Sequence, residues 1–175
     1  MPTDTLQPLH ADDLATVRAW RNHPDVRRHM FSTHEITEAE HQQWFARQQA
    51  DPSRRLWLFR RGGQPLGFVH FSGVLPGGVA DWGFYAAPGA PRGTGTALGQ
   101  AALARAFGSE LLHKVCGHVL AGNAASLALH RRLGFAEEGL LRQQHRSADG
   151  AHYHDVFCFG LLRADWPGPV QEPPP

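Results

Sequence analysis

The chain has 175 residues, 42% of them hydrophobic and 19% charged, and a formal net charge of +1. That length suits one well-buried domain, and the composition excludes a disordered or fibrous chain. The near-neutral charge and the lack of a basic run argue against a nucleic-acid partner, and no apolar stretch reaches the roughly 18 residues that cross a bilayer.

In chain order, the opening "MPTDTLQPLHADDL" has no basic region followed by an apolar run, so a cytoplasmic protein with no membrane partner is expected. "TLQPLHADD" reads as a short strand running into a helix start, with Asp12 or Asp13 placed to accept from the free amides of "LATVRAWRN". Pro24 stops that helix. "HPDVRRHMFSTHEI" is a loop or short helix, and "TEAEHQQWFARQQA" is a second helix, opened by a capping box from Thr37 to Glu40.

"RRLWLFRR", "QPLGFVHFSGVL" and "VADWGFYAA" alternate or run apolar, and Gly62-Gly63 and Gly77-Gly78 supply turns between them, which predicts an antiparallel meander. A helix from about Gly95 to Glu110 follows, then a strand "HKVCGHVLA", a helix "NAASLALHRRLG", and two strands joined at "SADG". This order predicts a mixed α/β domain with helices covering an open sheet. It spans residues 1–166 as a single domain, and the Pro-rich tail 167–175 is expected to be disordered.

Cys116 and Cys158 have apolar or strand-like neighbours and read as buried thiols, not as a disulfide framework or a redox pair. The twelve histidines show no metal-binding spacing. "HYHD" at His152 to Asp155 is their only dense group, and no metal is expected.

The stretch "APRGTGTALGQAALARAF" opens a helix with poor helix formers. Helix amino termini leave N–H groups unpaired and carry partial positive charge, so a strand, a glycine loop and a helix in succession form a natural anion site. Arg92 adds a formal charge beside the amides of Gly93 to Ala97. A turn whose glycines serve geometry alone is the other reading. No lysine follows, as a P-loop requires, and Gly93, Gly95 and Gly99 miss the dinucleotide spacing.

The run Arg92-Gly93-Thr94-Gly95-Thr96-Ala97 fits R-x-x-G-x-A and resembles the pyrophosphate motif of the GCN5-related N-acetyltransferases. "NAASLALHRRLGF" resembles that family's N-x-x-S-x-x-x-Y-x-x-x-G-F helix, in the same order along the chain. The resemblance implies a mixed, mostly antiparallel sheet of about seven strands, splayed between the fourth and fifth, with about four helices. It implies acetyl-CoA as co-substrate, its pyrophosphate on residues 92–97 and its pantetheine arm near Asn123, Ser126 and His130. Main-chain groups of Phe84 and Tyr85 would face the thioester. His130 stands where the family usually has tyrosine, so it is the expected proton donor to the departing thiolate; stacking on the pantetheine is the alternative. The base that frees the amine would come from Glu35 or His34 in the first loop, or from Asp81, His118 or His154 on the strands.

Among family members, "AWRNHPDVRRHMFSTHEIT" and "HYHDVFCFGLL" most resemble those that acetylate the 4-amino group of a UDP-linked 4-amino-4,6-dideoxy sugar in pseudaminic acid biosynthesis for flagellin glycosylation. That would place a small-molecule nucleotide-sugar substrate against Arg21, Asn22, Met30, Phe31, His34 and Glu35, with Arg27 and Arg28 close by. Two rival readings remain. One is acetylation of a ribosomal-protein amino terminus, where a "W-x-N" like Trp20-Arg21-Asn22 also occurs, or of another small amine; the other is a silent acetyl-CoA-binding module. The chain is expected to be a monomer or homodimer.

Overall fold

A computed structural model describes residues 3–168. The expected tail falls almost wholly outside the described residues. Seven strands form one sheet: β1 (Asp4–Pro8), β2 (Arg55–Arg61), β3 (Gln64–Ser72), β4 (Val79–Ala86), β5 (Lys114–Leu120), β6 (Ala136–Arg146) and β7 (Tyr153–Leu162). Their order across the sheet is β1-β2-β3-β4-β5-β7-β6. Five helices accompany them: α1 (Leu14–Asn22), α2 (Pro24–Arg27), α3 (Glu38–Ala50), α4 (Thr94–Phe107) and α5 (Ala124–Arg132). No helix among the described residues is long and apolar enough to cross a membrane.

Every strand pair is antiparallel except β4 with β5. Parallel neighbours need a crossover, and α4 supplies it. The parallel pairing is brief. It joins Val79 to Lys114, Ala80 to Val115 and Asp81 to Cys116, and then the strands part. This fork is the splay implied by the sequence resemblance, and it positions the site.

Each face of the sheet has its own core. On one side α4, α5 and the residue after α5 pack Leu98, Leu103, Phe107, Leu127 and Leu133 against Phe59, Val69, Phe71, Val115 and Phe159. On the other, α1 and α3 bring Val17 and Phe45 onto Leu58 and Phe68. Burying one such side chain contributes about 1.5–3 kcal/mol. The period-two alternation of β3 feeds both cores, Val69 and Phe71 to one and Phe68 to the other.

The helix signals met mixed outcomes. The capping box of α3 forms as the spacing predicts: Glu40 N donates to Thr37 Oγ1 at 3.2 Å, and Thr37 N donates to Glu40 Oε2 at 2.7 Å. Helix α1 is not capped by either aspartate side chain. A 3₁₀ turn over Ala11–Asp13 precedes it, and the Asp13 carboxylate turns back to accept from His10 N and pairs with Arg60 at 2.7 Å. Nor are the cysteines fully buried. Cys116 and Cys158 are half-buried free thiols on the adjacent strands β5 and β7.

Candidate active site

A cavity of about 640 Å³ runs through the fork. Trp82, Phe84, Val119, Asn123, Ser126 and His130 line it near α5, while Phe68, His70, Gly83, Tyr85 and His118 line it toward α1 and α3. Residues of both sheet faces meet in one space because β4 and β5 are no longer paired there. Main-chain groups alternate sides along a strand, so past Asp81 every second group of β4 faces the gap without a strand partner.

The floor of the fork is an aromatic wedge. Trp82 Nε1 donates to His130 Nε2 at 3.1 Å, and His130 Nδ1 lies 2.8 Å from the Ser126 main-chain oxygen. A neutral ring protonated on Nδ1 satisfies both contacts. Burial lowers the His130 pKa, partly offset by the bond to Ser126. Phe84, Phe135 and Phe159 surround the ring, which is only 2% exposed. His130 is therefore at the predicted place, but both nitrogens are engaged and neither aims a proton into the cavity. Proton donation from His130 would require one of these two contacts to break.

The amino end of α4 retains the expected anion-site character with fewer free donors. Gly93 is its N-cap at φ +88°, a left-handed conformation costly for any residue with a Cβ. Thr94 N donates to Pro91 O at 3.1 Å, and Ala97 N to Gly93 O at 3.0 Å, so those two predicted amides are committed. The amides of Gly95 and Thr96 are the next two of the first turn, where no intrahelical acceptor exists. Arg92 is exposed beside them. Arg132 of α5, which sequence reasoning missed, comes within 3.4 Å of Thr96 Oγ1 and adds a second guanidinium. The basic end of α5 was its only signal. Asn123 caps α5 by accepting from Ser126 N at 3.2 Å, and both residues also line the cavity. A pyrophosphate with a thioester arm running into the fork fits these groups.

On the acceptor side the structure separates the predicted residues. Arg21, Met30, Phe31 and His34 line the cavity; Asn22 and Glu35 do not. Asn22 is a clip: its side chain donates to Ile36 O and accepts from Ile36 N, both at 2.8 Å, which ties down the loop between α1 and α3. Glu35 is 76% exposed and lies 3.8 Å from Arg27, while Arg28 lies 3.5 Å from Asp25. The arginine cluster expected there reduces to Arg21, joined by the unanticipated Arg47. His154 on β7 also lies outside the lining and stacks near His145.

Arg21 carries the most informative contact. Its Nη2 donates to Ser32 O at 2.6 Å, while Nη1 is buried with no partner. Burial lowers its pKa, with Tyr85 and Arg27 acting in opposite directions. Burial raises the Tyr85 phenol pKa, so that hydroxyl stays protonated. Glu40 is the sole carboxylate in the lining, and it is engaged by Thr37 and lies 3.4 Å from His34. Across the fork, His118 Nδ1 lies 3.8 Å from Asp81 Oδ1, both side chains partly exposed. Among the described residues no group of three or more His, Cys, Asp or Glu is placed to hold a metal ion.

Comparison with known proteins agrees with this architecture. The chain is 25% identical to the acetyltransferase PseH of Campylobacter jejuni over 127 residues, 73% of this chain and 79% of that one. The spermidine N-acetyltransferase of Vibrio cholerae, solved with CoA and spermine, superposes with a TM-score of 0.84 at 22% identity, covering 93% of this chain and 96% of its own. The ribosomal-protein-alanine N-acetyltransferase of Brucella melitensis gives a TM-score of 0.75 at 23% identity, covering 90% and 99%. Residues 5–136 match the model of the acetyltransferase (GNAT) domain, and with its forked seven-stranded sheet the chain belongs to that family of acetyl-CoA-dependent acyltransferases.

Proposed function

We propose that the protein transfers acetyl from acetyl-CoA to the 4-amino group of a UDP-linked 4-amino-4,6-dideoxy sugar. The observation that carries this reading is the unpartnered Nη1 of Arg21 in a cavity whose only carboxylate is already engaged. A buried guanidinium N–H without an acceptor is costly, and an anionic substrate group that the Arg21 side chain turns to meet removes the cost. Arg47 adds a second positive charge to the same wall. A nucleoside diphosphate supplies such oxygens. A polyamine would bring positive charge to a wall that offers it no free carboxylate. The similarity to PseH supports the same choice.

In this reading the amides of Gly95 and Thr96, with Arg92 and Arg132, hold the pyrophosphate of acetyl-CoA and aim its thioester into the fork. Main-chain amides near Phe84 and Tyr85 stabilise the carbonyl oxygen as it gains negative charge, a contribution of a few kcal/mol for one such donor. His118, backed by Asp81, accepts the proton released by the attacking amine. The amino end of α5 favours the sulfur leaving as thiolate, which takes its proton from solvent.

The test is a thiol-release screen of acetyl-CoA with a UDP-4-amino-4,6-dideoxy sugar, spermidine, and a short peptide with a free amino terminus. Turnover of the UDP sugar at least a hundredfold above the other two is expected. Preference for spermidine or the peptide would reject the acceptor, and tight coenzyme A binding without thiol release would indicate a silent binding module.

A further inference from the structure

We propose that His70 is a catalytic residue whose imidazole accepts a hydrogen bond from the attacking amine and holds that nitrogen over Gly83, at the opening of the fork. This rests on the acetyltransferase reading but not on the identity of the carrier that bears the amine.

His70 sits in β3 opposite Gly83 of β4. Strand alternation sends its side chain to the face shared with Phe68, the acceptor side. The ring lies across the main chain of β4. A Cβ built on Gly83 would stand 2.4 Å from His70 Nε2, 3.0 Å from Cε1 and 3.2 Å from Cδ2. Only glycine leaves room for it there. Gly83 immediately precedes Phe84 and Tyr85, where β4 has lost β5 as a partner and every second main-chain group faces the gap. The imidazole therefore stands beside the backbone proposed to receive the thioester, on the side from which an acceptor would arrive.

The ring has no protein hydrogen bond acting on its protonation. Burial, with the nearby Arg54 charge, holds its pKa at about 4. It thus remains neutral at physiological pH and always offers one lone pair. Its nitrogens are not sealed in, because Arg21 Nη1 is the only buried side-chain polar atom without a partner among the described residues. A neutral imidazole that forms the wall of a cavity, next to a glycine that admits it, has the chemistry to receive an N–H. His118 lies on the other side of the fork and lines the same cavity.

The roles then divide. The new bond forms between the amine nitrogen and the acetyl carbon, the carbon–sulfur bond breaks, and the sulfur departs with the electron pair. The proton of the resulting ammonium passes to His118. His70 accepts a hydrogen bond throughout and keeps its protonation state, so its contribution is to fix the approach of the nitrogen.

The test uses hydroxylamine as nucleophile, because the proposed contact is to the nitrogen itself and needs no carrier. Wild-type protein should accelerate hydroxylamine acetylation above the uncatalysed rate. His70→Ala should lower the catalysed kcat/KM about tenfold or more, with the acetyl-CoA dissociation constant within twofold of wild type. Gly83→Ala, which displaces the ring, should do the same. His70→Gln, which keeps an acceptor, should recover part of the rate, and the isosteric but apolar His70→Leu should not. A purely space-filling residue gives the opposite order, with Leu above Gln, and that result overturns the proposal. So does an unchanged rate in His70→Ala, or a wild-type protein that gives no catalysed rate with this probe. None of these outcomes depends on whether the UDP sugar is the acceptor.

Discussion

Trp82 and His130 meet edge to face at the floor of the fork, the indole N–H donating to the imidazole Nε2 across 3.1 Å. The contact joins β4 to α5 beneath β5 and requires Gly117 above it. A Cβ at Gly117 would lie 2.6 Å from His130 Nε2 and 2.9 Å from Trp82 Nε1. The histidine at the position where a proton donor was expected holds β4 to α5 through this contact.

His130→Ala should act mainly on stability. It leaves a cavity and an unpaired indole N–H, and the loss should be about 2–4 kcal/mol in urea denaturation. At a temperature where the variant is folded, kcat should fall less than tenfold. A thousandfold fall with stability intact would restore His130 as the proton donor. Gly117→Ala should cost about 1–3 kcal/mol by crowding the same pair.

Arg21→Met should raise KM for the UDP-amino sugar about 10- to 100-fold, the range for a hydrogen bond to a charged group. Acetyl-CoA affinity, measured by calorimetry, should stay within twofold. Equal weakening of both ligands would mean that Arg21 supports the fold and not the acceptor.

Arg132→Ala and Arg92→Ala should each weaken acetyl-CoA binding by about 1 kcal/mol, because both guanidinium groups are solvent-accessible and screened. Raising the salt concentration should shrink both effects. Acetyl-pantetheine, which lacks the pyrophosphate, should be insensitive to either change.

Stability should fall as pH drops from about 6.5 toward 4. His70 has its folded pKa depressed to about 4 from the ordinary 6.5, so over that interval the unfolded chain binds a proton that the native protein refuses. The native state loses ground as pH falls through the window, by about 2 kcal/mol between pH 7 and 5 from this residue. Burial lowers the His41 and His130 pKa values too, and they act in the same direction. Urea midpoints at the two pH values should show a smaller loss in His70→Gln. An identical loss would contradict the assignment.

Asn22→Ala removes both hydrogen bonds to Ile36 and should cost about 2 kcal/mol. Hydrogen exchange should rise in residues 23–36, with acetyl-CoA binding unchanged. Exchange confined to wild-type levels would show that the loop is held by other contacts.

The sequence by itself determined the order of elements, the α3 capping box, and the two motifs of the acetyl-CoA half. Those features are local: alternation, turn glycines and helix ends are written in neighbouring residues. Only the tertiary structure decided which side chains face the cavity. Asn22 and Arg21 are adjacent, yet one clips a loop and the other lines the cavity with a buried N–H that has no partner. His70 and Gly83 are thirteen positions apart and give no joint signal in the chain. They become a site because antiparallel pairing sets one opposite the other, and because strand β5 diverges just beyond Asp81. Likewise no local pattern could reveal that both nitrogens of His130 are occupied, since its partners Trp82 and Ser126 reach it through packing and the turn of a helix. Chemical role depends on which atoms remain free, and that is fixed only when the sheet and helices close around them.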